Sequence, residues 1–176
     1  MSLHHIKLGA IPDSDDSSTD TAVTPPENIP LHLNDNYDGA SDPGLEPGST
    51  FVIRSLWSRE VLTLFKGEVL LAPPGINGSQ LWECVETDGW LGFRNMASYA
   101  FLGRDDQGFL RCSADWHREW ERLRVGERTE GGYILLMTHW WKLRPLGFRR
   151  GASGEKRLAM MEIESTDGIV WEFVKV

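Results

Sequence analysis

From residue 50 onward, apolar and β-branched residues fall in short runs, among them TFVIRS, VLTLF and GYILLMTH, each bounded by Gly, Asp, Asn or Pro. Runs of this length between turn residues predict strands rather than helices. The pattern also repeats. Laid against itself, the segment divides into units 50–88, 89–130 and 131–176, and self-similarity at a fixed period marks a repeated supersecondary unit. From the opening aromatic to the Trp of a Trp-Glu pair is 31 residues in the first unit (Phe51 to Trp82), 30 in the second (Trp90 to Trp120) and 38 in the third (Tyr133 to Trp171). The surplus in the third fits an insertion in RRGASGE. Gly48, Gly89 and Gly132 precede the first strand of each unit, and Gly67, Gly108 and Gly154 fall in the hairpin before the third, where tight turns demand positive φ.

One stretch competes with this register. ADWHREWERL spaces Trp116, Trp120 and Leu123 as a helix would, behind a capping Asp115. The repeat overrules it, because the position three after each Trp is Val85, Leu123 and Val174 in turn. The expectation is therefore that Trp82, Trp120 and Trp171 fill one core around a pseudo-threefold axis, with Glu83, Glu121 and Glu172 facing outward. Burying each such indole is worth about 1.5–3 kcal/mol or more.

Twelve strands in three four-stranded units resemble an all-β fold, the β-trefoil, in which a six-stranded barrel is capped by three hairpins. The wording FVIRS, FLGRDDQGFLRCSA…WE and GGYILLMTH…WEFVKV is similar to the fascin-like branch of that superfold, which implies actin or another cytoskeletal partner. Resemblance to ricin B-type lectins is weaker. Gln80-Leu81-Trp82 matches the lectin Q-x-W, but Arg118-Glu119-Trp120 and Ile169-Val170-Trp171 do not. The early acidic residue of lectin sugar sites also has no counterpart in SLWSRE, NMASYA or THWWKL. Bundling filaments needs two sites, and one such domain offers no evident bivalency.

Charge separates the first fifty residues from the rest. They hold nine acidic side chains against Lys7 alone, and so carry the whole net charge of −8. They contain no Trp or Phe. Such a composition cannot bury enough apolar surface to offset its ordering entropy, so 1–49 is expected to be a disordered acidic tail, anchored if at all by Ile29, Leu31 and Leu33. The remaining residues balance in charge, which with an acidic tail argues against nucleic acid and anionic membranes as partners. Cys84 and Cys112 lack a paired spacing and no long apolar leader is evident, which predicts a reducing, cytoplasmic setting.

Little in the domain invites covalent or metal chemistry. His117 with Asp115 or Glu121 does not share a face on a strand or loop, so no metal is expected, and no phosphate- or dinucleotide-cradling glycine motif implies a cofactor. Asp105-Asp106 reads as a turn. An enzyme would have to use His117 or His139 with a carboxylate or Cys112. Aromatics off the core register point elsewhere. Trp57, Trp116, Trp140 and Trp141 interrupt polar turns, with Arg59, His117, His139 and Lys142 as polar neighbours, and exposed aromatics mark ligand surfaces. The competing reading places Trp140 or Trp141 over the bottom of the barrel. The sequence thus predicts a non-catalytic binding module for a protein or carbohydrate ligand.

Overall fold

A computed structural model describes residues 44–162 and 168–176. The expectations for the acidic tail up to residue 43, including the anchors Ile29, Leu31 and Leu33, lie outside these residues.

The described chain is all-β. Its strands are β1 (Thr50–Ser55), β2 (Val61–Phe65), β3 (Glu68–Ala72), β4 (Leu81–Thr87), β5 (Trp90–Asn95), β6 (Phe101–Arg104), β7 (Leu110–Ala114), β8 (Leu123–Glu127), β9 (Tyr133–His139), β10 (Lys142–Arg150), β11 (Lys156–Met160) and β12 (Val170–Lys175). Every pairing among them is antiparallel. Two-residue turns join β2 to β3 at Lys66-Gly67 and β4 to β5 at Asp88-Gly89. Both residues of each turn have positive φ, the geometry whose twist matches the flanking strands.

Six strands close on themselves. β1 pairs with β12 and β4, β5 with β4 and β8, and β9 with β8 and β12. A closed ring leaves no open edge. The pairs β2–β3, β6–β7 and β10–β11 form hairpins outside it. The register across the ring recurs: Phe51 lies opposite Trp82, Leu91 opposite Leu123, and Tyr133 opposite Trp171. On their other sides Trp82, Leu123 and Trp171 face Asn95, Met137 and Ser55.

Trp82, Leu123 and Trp171 are all fully buried. The place expected for Trp120 thus belongs to Leu123. Trp120 and Glu121 lie instead in a 3-10 turn, Glu119–Glu121, just ahead of β8, so no long helix forms there either. The cause is local. The Glu121 carboxylate folds back to accept the Arg118 N–H at 3.1 Å, and the Trp120 ring is covered by the guanidinium groups of Arg104 and Arg111.

The same displacement changes the glutamates. Glu83 and Glu172 alternate outward from their tryptophans, as period two requires, and each meets an arginine one strand over: Arg94 at 2.5 Å and Arg54 at 2.6 Å. Glu121, off the strand, is buried at 3% exposure, which corrects the expectation that all three face outward. On the tail side of the boundary expected at 49, Leu45 is buried in the core and Glu46 pairs with Lys175 at 2.7 Å.

The Trp82 indole N–H donates to Leu62 O at 2.9 Å, whereas that of Trp171 has no partner among the described residues. Trp82→Ala and Trp171→Ala should each cost about 3–5 kcal/mol in urea unfolding, and Trp120→Ala clearly less. Trp82→Phe, which orphans a buried carbonyl, should cost more than Trp171→Phe. A Trp120→Ala loss as large as that at Trp82 would contradict this register.

Candidate ligand-binding face

The hairpins at the three ring corners differ in length. In β1–β2 the last closure is Ser55 with Glu60, and in β5–β6 it is Asn95 with Ala100, leaving four-residue turns. The β9–β10 ladder runs on to His139 opposite Lys142, so its turn is Trp140-Trp141 alone. The longer ladder carries this pair outward. Trp140 and Trp141 are 70% and 86% exposed, which removes the alternative that either covers the barrel. Trp57 and Trp116 are also exposed. Trp140 adopts φ 57°. Positive φ is what a tight hairpin turn demands, as at Lys66 and Asp88, although it is costly for so bulky a residue.

The Trp140 and Trp141 rings lie 6.0 Å apart at 56°, with His139 edge-on to Trp140 at 6.4 Å. Both indoles line a groove of about 220 Å³ together with Trp90, Glu119, Arg122 and Lys142. Trp140, Trp141 and Lys142 also border a shallower space of about 320 Å³ beside His139 and Arg144. Glu119 joins the first groove to a third, of about 450 Å³, in which Trp116 and Trp120 sit among Arg111, Arg118 and Asp115. The hairpin is tied to the 3-10 turn by the Thr138 hydroxyl, which donates to Glu119 O at 2.7 Å, and to β6 by Arg104 Nε, which donates to Thr138 O at 3.2 Å.

The structure therefore brings together four of the residues singled out from sequence, His139, Trp140, Trp141 and Lys142, while Trp116 lines the neighbouring groove that Glu119 joins to theirs. Trp57 and Arg59 stand apart in the β1–β2 turn, where Arg59 pairs with Glu172 at 3.0 Å. His117 is turned inward. Its ring stacks on Phe101 at 5.6 Å, Nε2 lies 3.2 Å from Leu91 O, and Gly92 leaves it room, since a Cβ there would stand 2.7 Å from Nε2. Sequence reasoning missed Trp90, Trp120, Glu119 and Arg122. The available signal was the alternation around Leu123: Arg122 and Arg124 point away from the core and pack against Trp90, with the Arg124 guanidinium 4.3 Å from the ring centre.

Several groups suited to proton transfer or nucleophilic attack are engaged within the fold. Cys112 donates to Ala100 O at 3.2 Å, and burial raises the pKa of its thiol; burial pushes that of Cys84 up to about 12. Burial also raises the Glu121 pKa. Asp105 acts as a turn former, accepting the Gln107 and Phe109 N–H groups at 2.9 Å. Gln80, the glutamine of the Q-x-W match, donates to Thr63 and Pro73 and accepts from Gly75 N–H, which braces the loop before β4. Among the described residues no group of three or more His, Cys, Asp or Glu side chains is placed to hold a metal ion, and no helix is long and apolar enough to cross a membrane.

No protein-family model and no curated protein matches the sequence. Solved structures do match in fold. A ricin B-like lectin of Macrolepiota procera, in complex with lactose, is 14% identical with a TM-score of 0.56, over 74% of this chain and 98% of the lectin. A GH43 β-1,3-galactosidase is 12% identical with a TM-score of 0.60, over 74% of this chain and 28% of that one. A GlcNAcα1-4Gal-releasing endo-β-galactosidase from Clostridium perfringens is 12% identical with a TM-score of 0.54, over 73% of this chain and 32% of that one. The chain thus spans about a third or less of the two glycosidases. At these identities the likeness is one of fold.

Both domain histidines are held below the ordinary imidazole value, His117 by burial first and His139 by loss of water and then by Arg144 and Arg104. A depressed native pKa means that the unfolded chain binds the proton first, so stability is intact above about pH 6.5 and falls as pH drops toward the native value. Urea midpoints at pH 7.5 and 5.5 should show the loss, and NMR titration should place both imidazoles below an unfolded reference. A His117 titrating at or above that reference would contradict its inward placement.

Proposed function

We propose that this protein is a non-catalytic carbohydrate-binding module of the β-trefoil type, taking its ligand along the tryptophan-lined grooves between the β9–β10 hairpin and the 3-10 turn. The ring of six strands with three outer hairpins, and the register repeated at Trp82, Leu123 and Trp171, support the trefoil reading. The observation that carries the function is the Trp140–Trp141 pair: two indoles held out at a two-residue turn over a polar-rimmed groove, where a flat π face can stack on the apolar face of a sugar ring. The ricin B-like lectin supports the ligand class through its lactose complex, and two carbohydrate-active neighbours share the fold. The fascin-like wording of the repeats has no counterpart among these three.

Carbohydrate selectivity here comes from Trp stacking plus a rim of Glu119, Arg122 and Lys142 able to hydrogen-bond sugar hydroxyls. The sugar site of ricin B-type lectins is not carried over, since its early acidic residue has no counterpart in SLWSRE, NMASYA or THWWKL.

A glycan array followed by calorimetry on the best ligand tests the proposal. Trp140→Ala and Trp141→Ala should each lose about 2 kcal/mol or more of binding, with the circular dichroism spectrum and melting midpoint unchanged, because both rings lie outside the core. Glycan binding that survives both substitutions, or an array with no glycan bound, would overturn the assignment; a protein captured through the same indoles would replace the ligand class.

A further inference from the structure

The grooves beside Trp140 and Trp141 are unequal in charge. Arg122, Lys142 and Arg144 border them, against the single carboxylate of Glu119. Arg144 is partly satisfied by the exposed carboxylate of Glu162 at 3.3 Å. Among the described residues Arg122 and Lys142 have no carboxylate within ion-pair distance, nor does Arg124 on the far side of Trp90. Arg122 and Arg124 rest their guanidinium groups on the Trp90 ring, which holds the flat cations in place without neutralising them.

The local field agrees with this count. His139, at the edge of the same space, is harder to protonate first through loss of water and then because Arg144 and Arg104 repel the incoming charge, with Glu162 opposing them. Cations gathered beside the Trp140–Trp141 pair, with Glu119 and Glu162 as the acids, leave a net positive potential where a ligand would lie.

We propose that the sugar taken by this face carries an anionic group, a carboxylate or a sulfate ester, received by Arg122 and Lys142 while its ring stacks on Trp140 or Trp141. The inference rests on the groove being the glycan site. Arg122 suits a planar, two-oxygen contact, and Lys142 a movable point charge. Neutral sugars would leave both cations unpaired and so be bound less well.

The test uses the full chain on an array of matched glycan sets, each scaffold present in neutral, sialylated, uronate-containing and sulfated forms. Charged members should bind at least about tenfold more tightly than their neutral parents, and the advantage should shrink as salt rises from 50 to 500 mM, in the way of roughly any exposed ionic contact. The carboxylate and sulfate arms separate the two sources of charge. Lys142→Gln with Arg122→Gln should bring the charged-to-neutral ratio down toward one. Equal binding of neutral and charged members would overturn this inference while leaving the glycan site standing. Binding of no member would remove both. A charged preference that the double variant keeps in full would also overturn it, by placing the anion elsewhere.

Discussion

Closure of the six-stranded ring is the constraint on which the rest depends. Each ring strand shares its backbone hydrogen bonds with two neighbours, so side chains at matching register must fill one interior from several directions. Two indoles and a leucine do this: Trp82, Leu123 and Trp171, each opposite an apolar residue of its unit's first strand. The ring then dictates what is left for function. Residues that complete it are committed, and only the turns and hairpins that leave it can differ between units.

Two such differences build the face proposed to bind the ligand. In the second unit the Trp-Glu pair has moved three residues ahead of the ring position, into a 3-10 turn, so Trp120 becomes a groove wall under Arg104 and Arg111. In the third unit the first hairpin is longer and ends in a two-residue turn made wholly of tryptophan. Thr138 links them: its hydroxyl donates to Glu119 O in the turn, while its carbonyl accepts from Arg104 of β6, whose guanidinium covers Trp120. Leucine in place of tryptophan at position 123 costs the core some apolar surface. The freed indole is what the groove gains.

Much of the fold could be read from the chain, because period-two alternation and paired turn glycines are local signals. The strands, the Lys66-Gly67 and Asp88-Gly89 turns and the long third unit all follow from them. The Trp120 placement did not, since Trp-Glu looks identical in all three units, and the helical spacing in ADWHREWERL, the one local sign of the turn, was outweighed by the repeat. The exposure of Trp57, Trp116, Trp140 and Trp141 was legible as aromatics in polar turns. Their grouping was not. Trp57 shares the turn logic of Trp140 yet sits at another corner of the ring, and His117, adjacent to Trp116 in sequence, is drawn inward by Phe101 and the space at Gly92. Proximity across the fold requires three dimensions.

The central claim separates tryptophans that hold the ring from those that meet the ligand, and the indole N–H resonances of the chain's eight tryptophans report on both at once. A nitrogen-15 correlation spectrum recorded while the best-binding glycan is added should move Trp140 and Trp141 most, with Trp90, Trp116 or Trp120 following. Trp82 and Trp171 should stay in place. Shifts confined to Trp57, or spread equally over Trp82 and Trp171, would contradict the division between core and face.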